Sequence, residues 1–155
     1  MQRLLNQIHK RLIKTKQTIS VAESCTGGLA SSLLTQLSGS SAYFILGVAA
    51  YSNKAKERIL GITHSLIAQK GAVSRQVAQG MAESIRRLAN TDFGIGITGI
   101  AGPTGGTPQK PVGTVFIAID SKKKKICKRS HFIGSRLRIR KKTALSALKL
   151  LKPLI

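Results

Sequence analysis

At 155 residues, 42% hydrophobic with 15 glycines, the chain is read as one domain spanning 1–155 with a core of its own, and 4% aromatics without tryptophan make that core aliphatic. No apolar run approaches the roughly 20 residues of a membrane span, no signal peptide is read in the basic N-terminus, and two cysteines make no disulfide framework, so a cytoplasmic protein without a membrane partner is expected. The net charge of +21, from 26 Lys and Arg against 5 Asp and Glu, favours anionic partners.

Leu4, Leu5, Ile8, Leu12 and Ile13 recur at helical spacing and predict a helix over 3–15. Thr18–Ala22 is short, apolar and β-branched, a buried strand. Ser24–Gly28 turns from it into a helix over Leu29–Leu37, which Ser38–Ser41 breaks. Phe44–Tyr51 reads as a second buried strand. Helices follow over Asn53–Leu60, stopped by Gly61, and Ser65–Lys70, stopped by Gly71. Ser74 caps a longer helix over 75–89, with Val77, Ala78, Met81, Ile85 and Leu88 on one face.

Phe93–Ile97 is a third strand. The glycine- and proline-rich stretch 98–113 is a loop, and a loop of that length inside a compact domain is functional or disordered. Thr114–Ile119 is a strand, Asp120–Lys125 a lysine-rich turn, and Ile126–Phe132 an edge strand whose lysines discourage aggregation. Leu137–Leu151 closes the chain as a basic amphipathic helix with Leu137, Ala144, Leu145, Leu148 and Leu151 facing inward. Strands alternating with helices give an α/β fold, a three-layer α/β/α sandwich with a mixed sheet. Ligands of such sheets bind beyond the carboxyl ends of strands, where 23–28, 51–56 and 98–106 emerge.

Half of the basic residues lie between Lys122 and Lys152. They fit a solvated surface as well as an anionic partner. Neither interleaved aromatics nor zinc-finger spacing is present, so nucleic acid stays open as a partner but is not favoured.

In the first strand-end stretch, Ser24 either attacks a carbonyl, if a base takes its proton, or, like Thr26, caps the helix. Free backbone N–H groups at that helix start can hold an anion or an oxyanion. The stretch is not the G-x-S-x-G elbow of α/β-hydrolases. His9, His64 and His131 all fall outside the strand-end stretches, with His9 and His64 read as surface residues, so a Ser–His–Asp set has weak support. The nearest alternative base lies in YSNKAK, 51–56. A lysine acts as a base only when burial or a nearby cation lowers its pKa. Lys54, Lys56 and Arg58 alternate, and spacing does not decide which points inward. Cys25, with no histidine near, reads as a small buried residue. Thr98 follows a strand, and Gly99, Gly102, Gly105 and Gly106 allow close backbone approach to a ligand. The pattern is not a Walker loop.

AESCTGG (22–28), GSSAYF (39–44), YSNKAK (51–56), GAVS (71–74), and TGIAGP with a following GG and KPVGTV (98–115) together resemble the CinA C-terminal domain. The likeness runs from Ile19 to the final helix. Stand-alone members are nicotinamide-nucleotide amidases. The resemblance implies hydrolysis of the carboxamide of nicotinamide mononucleotide to nicotinic acid mononucleotide and ammonia, with a Ser–Lys pair, no metal and no cofactor. By motif match Ser24 is the nucleophile and Lys56 the general base, with Tyr51 and Thr98 assisting or lining the site.

Backbone N–H groups of Cys25, Thr26, Gly27 and Gly28 are expected at the oxyanion. Ser40, Ser41 and the loop glycines Gly99, Gly102, Gly105 and Gly106 are expected at the substrate, the serines and the 102–107 segment near its phosphate. Thr104 departs from the aspartate usual in the family's GPDGG. The separate N-terminal nucleotide-hydrolase domain of many relatives is expected to be absent, and self-association into a homo-oligomer is expected. The alternative is a catalytically silent nucleotide- or nucleic-acid-binding module of the same fold.

Overall fold

The computed structural model describes residues 1–155. In chain order it contains α1 (Gln2–Thr15), β1 (Ile19–Glu23), α2 (Leu29–Leu34), a 3₁₀ turn (Ser40–Ala42), β2 (Phe44–Ala49), α3 (Asn53–Leu60), α4 (His64–Lys70), α5 (Arg75–Ala89), β3 (Phe93–Gly99), β4 (Thr114–Ser121), β5 (Lys125–His131), α6 (Arg136–Leu151) and a closing 3₁₀ turn (Lys152–Leu154). The helix punctuation is local chemistry. Ser52 and Ser74 accept the N–H groups of Ala55 and Val77 at the starts of α3 and α5, and Gly61 ends α3 with positive φ.

The five strands lie in the order β2-β1-β3-β4-β5. β1 runs parallel to both β2 and β3, while β4 and β5 are antiparallel additions, so the sheet is mixed. α1, α2 and α6 pack on one face, and α3, α4 and α5 lie on the other, which gives the expected α/β/α layering. The main core joins Leu5, Ile8 and Leu12 of α1, Ile95 and Ile97 of β3, and Ala144, Ala147 and Leu148 of α6. Each large aliphatic side chain buried there stabilises by about 1.5–3 kcal/mol.

Against α5 the spacing is tighter than any side chain allows. A Cβ on Gly94 or Gly96 would come within 2.1 and 2.2 Å of the Ala82 and Ala78 carbonyl oxygens. These two glycines bring α5 down onto β3.

The chain departs from the sequence-based expectation at element ends. α2 stops at Leu34, because its exposed far end is polar (Thr35, Gln36), and β2 stops at Ala49. β3 and β4 each run two residues further than expected. Ile13, Leu88 and Leu137 are exposed rather than inward, each at the margin of its helix's apolar stripe. Ile139, Thr143 and Ala147 are buried on α6 instead. No helix is long and apolar enough to cross a membrane.

Candidate active site

From β1 the chain crosses to β2 on one side and then, through α3, α4 and α5, to β3 on the other. Strand order therefore reverses about β1, and the carboxyl ends of the three parallel strands share one crevice. Glu23 pairs with Ala49 on one side and Ile97 on the other. Ser24, Ala50 and Thr98 consequently leave the sheet side by side.

Ser24 is 8% exposed. Its N–H bonds the Ile97 carbonyl at 2.9 Å, and its carbonyl accepts the Gly27 N–H at 3.0 Å. Its backbone is pinned at both ends while its hydroxyl takes no part in the hydrogen bonds of the turn. Neither Ser24 nor Thr26 caps α2. Glu23 does: its fully buried carboxylate accepts the N–H groups of Gly28, Ala30 and Ser31 and the Ser31 hydroxyl, at 2.7–3.0 Å. The anion place at this helix start is thus filled by the chain's own acid, which corrects the expectation that it is free for a ligand. The Thr26 hydroxyl is buried without a partner.

With Gly27 and Gly28 donating to Ser24 and Glu23, the N–H groups of Cys25 and Thr26 are the two of the turn left without a carbonyl or carboxylate. Gly27 and Gly28 serve conformation instead, with φ of 58° and 97°. Burial pushes the Cys25 thiol up to about 12, reinforced by Glu23 and only partly offset by its own backbone N–H, Arg140 and Lys56. Cys25 is a buried thiol held in its neutral, weakly nucleophilic form.

Lys56 resolves the ambiguity of the alternating cations. Lys54 and Arg58 are exposed, and Lys56 is 1% exposed, one turn into α3 above Leu60. Its Nζ donates to the carbonyls of Ala50 at 3.1 Å, Tyr51 at 3.2 Å and Ser52 at 3.5 Å, and not to the Ser24 hydroxyl. Burial lowers its pKa below 10.5, with Cys25 nearby acting in the opposite sense.

Thr98 is buried and donates its hydroxyl to the Ala72 carbonyl at 2.8 Å, so what it offers the crevice is an acceptor oxygen only. Tyr51 is 57% exposed, and its phenol oxygen meets an Arg136 guanidinium nitrogen.

Two arginines that the sequence did not single out complete the crevice. Arg136 also donates to the Gly102 carbonyl at 2.7 Å, and Arg140 holds the Thr26 carbonyl through Nε and Nη2 at 3.2 and 2.8 Å. The Arg140 guanidinium lies against Gly27, where an added Cβ would meet Nη2 at 3.1 Å. The i,i+4 pair in RLRIR was the available signal.

Other expected residues fall elsewhere. Ser40 and Ser41 precede β2 at the amino end of the strand, about 20 Å along the sheet from the crevice. They belong to no site with Ser24 inside one chain. A Cβ on Gly99 would strike Val115 and Cys25 at 2.8 and 3.0 Å, and one on Gly106 would strike the Val112 nitrogen at 2.8 Å. Those glycines serve packing. Gly102 bends the loop with φ of 72° and presents its carbonyl to Arg136, while Gly105, with φ of 87°, sits on the exposed loop tip beside Thr104.

The histidines stay out of the crevice. His9 is half-buried on Tyr43 rather than a plain surface residue, His64 pairs with Glu57, and His131 meets the Val112 carbonyl. Cavities of about 610 Å³ beside Lys10, Arg11 and Lys14, about 410 Å³ beside Lys122–Lys124 and about 300 Å³ between α2 and α6 also lie elsewhere.

The model of the CinA C-terminal domain matches residues 1–155. A CinA-like protein of Syntrophus aciditrophicus is 50% identical over 142 residues, 91% of this chain and 34% of its own. One from Geobacter metallireducens is 50% identical over 139 residues, 90% of this chain and 34% of its own. The chain thus spans about a third of the length of the curated relatives it matches. Among solved structures, the competence/damage inducible protein CihA from Agrobacterium tumefaciens superposes with a TM-score of 0.95 at 36% identity, covering 98% of this chain and 93% of that one. The competence damage-inducible protein A from Klebsiella pneumoniae gives 0.93 at 32%, covering 97% and 94%. With its whole length matched by the family model and its fold shared with these proteins, the chain belongs to the CinA C-terminal domain family.

Proposed function

We infer that this chain is an amidohydrolase that converts nicotinamide mononucleotide to nicotinic acid mononucleotide and ammonia through an acyl-enzyme on Ser24. The observation that carries this reading is Lys56, a fully buried lysine with lowered pKa whose amine rests on the carbonyl of Ala50, abreast of Ser24. A buried amine without an acid partner costs stability, so its presence here favours a functional role.

When Lys56 is neutral, its two N–H groups stay on Ala50 and Tyr51, and its lone pair replaces the long contact to Ser52. Turned to the Ser24 hydroxyl, that lone pair can take its proton. Lys56 takes the proton as Ser24 Oγ attacks the carboxamide carbon. The oxyanion is met by the N–H groups of Cys25 and Thr26. Lys56 returns the proton to the departing ammonia, leaving an ester on Ser24. Water, deprotonated by Lys56, cleaves the ester and restores both groups.

Because Glu23 occupies the α2 N-terminus, the substrate phosphate falls to Arg136 and Arg140, whose guanidiniums keep unused donors at the mouth of the crevice. Acid quenching during turnover followed by peptide mass analysis tests the reading. It expects the pyridine nucleotide acyl group on the Ser24 peptide, absent in Ser24→Ala. An adduct on Cys25, or turnover with no covalent species on any residue, contradicts it.

A further inference from the structure

At the end of the sheet opposite the crevice, where β1 and β3 begin, two basic basins lie side by side. The larger, of about 610 Å³, is lined by Lys10, Arg11, Lys14 and Lys152 with two neutral polar side chains and no apolar one. The other, of about 410 Å³, is lined by Lys122, Lys123 and Lys124. They meet at the closing 3₁₀ turn, where Lys152 faces the first basin and Pro153 and Leu154 the second. Lys16, exposed, joins them along the chain between Thr15 and Gln17.

None of these cations is in an ion pair. The acids that could neutralise them are committed elsewhere: Glu23 to α2, Glu57 to His64, Glu83 to Arg87 and Lys125, Asp120 to Arg86. Asp92 alone lines a basin, and its carboxylate accepts the Thr18 N–H and hydroxyl at 2.8 and 3.0 Å. The arginines of the crevice are different, since Arg136 and Arg140 already hold backbone carbonyls. Like charges gathered without acids repel one another, and a polyanion relieves that repulsion.

We propose that this surface docks the phosphate backbone of duplex nucleic acid. A duplex presents two rows of phosphates with a groove between them, and the surface presents two basic basins with a turn between them. A single strand is held by aromatic side chains on which its bases stack. Phe93, the one aromatic lining either basin, is 4% exposed, so no stacking platform is offered. A duplex keeps its bases stacked and needs none. The larger basin also lacks the apolar side chains that enter a lipid surface. Contacts of this kind fix the position of a duplex without reading its sequence. The dock lies at the far end of the sheet from Ser24, so it stands whatever the crevice catalyses.

The test is fluorescence anisotropy of the full chain with a labelled DNA duplex of about 20 base pairs across a salt series. Two quadruple variants, each with the wild-type circular dichroism spectrum, lose the same charge in different places. One carries Lys10→Ala, Lys14→Ala, Lys122→Ala and Lys123→Ala; the other carries Lys54→Ala, Lys70→Ala, Lys128→Ala and Lys141→Ala. The wild type binds at about 0.15 M salt, and its affinity falls steeply as salt rises. The first variant binds at least about 10²-fold more weakly, with a slope of log affinity against log salt lower by about 3–4, whereas the second stays close to the wild type. No binding by the wild type at that salt, or equal losses in the two variants, overturns the proposal. Tighter binding to the single strand, or to phosphatidylserine vesicles in place of the duplex, overturns it as well.

Discussion

The Nζ of Lys56 lies 3.1 Å from the carbonyl oxygen of Ala50, which leaves β2 abreast of Ser24 leaving β1. One hydrogen bond thus places a buried amine at the strand end next to that of Ser24. The pH dependence follows from the sign of its shift. Burial lowers the Lys56 pKa, so the neutral, competent form gains population as pH rises. In the wild type, kcat/KM for nicotinamide mononucleotide rises with pH along a single-proton limb with a midpoint below 10.5. Lys56→Met loses turnover by at least about 10³-fold.

The same shift predicts a stability effect of opposite value to the enzyme. Between the lowered pKa in the fold and the ordinary 10.5, the unfolded chain binds more protons than the native one, so stability rises with pH through that window. Lys56→Met removes this rise. Its melting temperature at neutral pH equals or exceeds that of the wild type, because an apolar side chain replaces a buried amine. A large loss of melting temperature instead would identify Lys56 as a structural clamp on Ala50, Tyr51 and Ser52.

Arg136 and Arg140 are tested by removing the phosphate rather than the enzyme's chemistry. A charge-assisted hydrogen bond contributes about 1.5–3 kcal/mol, on the order of 10–100-fold in binding. Arg136→Ala and Arg140→Ala raise KM for the nucleotide by that factor. They leave kcat/KM for the dephosphorylated nucleoside nearly unchanged. Equal losses on both substrates would show that the arginines only position Thr26 and Gly102.

Glu23 supports the turn that presents Ser24. Glu23→Gln keeps the shape but turns an amide NH₂ towards N–H or O–H donors that the carboxylate now accepts. A loss of about 3 kcal/mol is expected, a fall of about 6–12 °C in melting temperature. kcat falls with it as the turn loosens.

The glycine-lined contact between β3 and α5 predicts a stability effect independent of catalysis. Gly96→Ala places a Cβ 2.2 Å from the Ala78 carbonyl oxygen, a backbone atom that cannot rotate away. It costs about 3 kcal/mol in denaturant unfolding.

What was legible in the sequence follows from the range of the physics involved. Helix ends set by a serine or a glycine next to them, at Ser52, Gly61 and Ser74, were readable because capping spans only a few residues. Alternation of elements was enough for the α/β layering. The inward turn of Lys56 was not, since Lys54 and Arg58 share its local pattern, and only the packing of α3 on α5 and the bonds to Ala50 and Tyr51 select it. Glu23 looked like a strand-end charge, and its role appears when α2 folds back over it. Arg136 and Arg140 reach Tyr51 and Thr26 from the far end of the chain, a meeting that topology alone creates.

On the proposed function, Ser24 attacks a carboxamide. The most direct measurement is release of ammonia and nicotinic acid mononucleotide from nicotinamide mononucleotide, without added metal, by the wild type and by Ser24→Ala. The wild type is expected to release both in equimolar amounts, and the variant to lose at least about 10³-fold with its fold intact. A folded wild type that releases neither product, or a Ser24→Ala variant that keeps its rate, contradicts it.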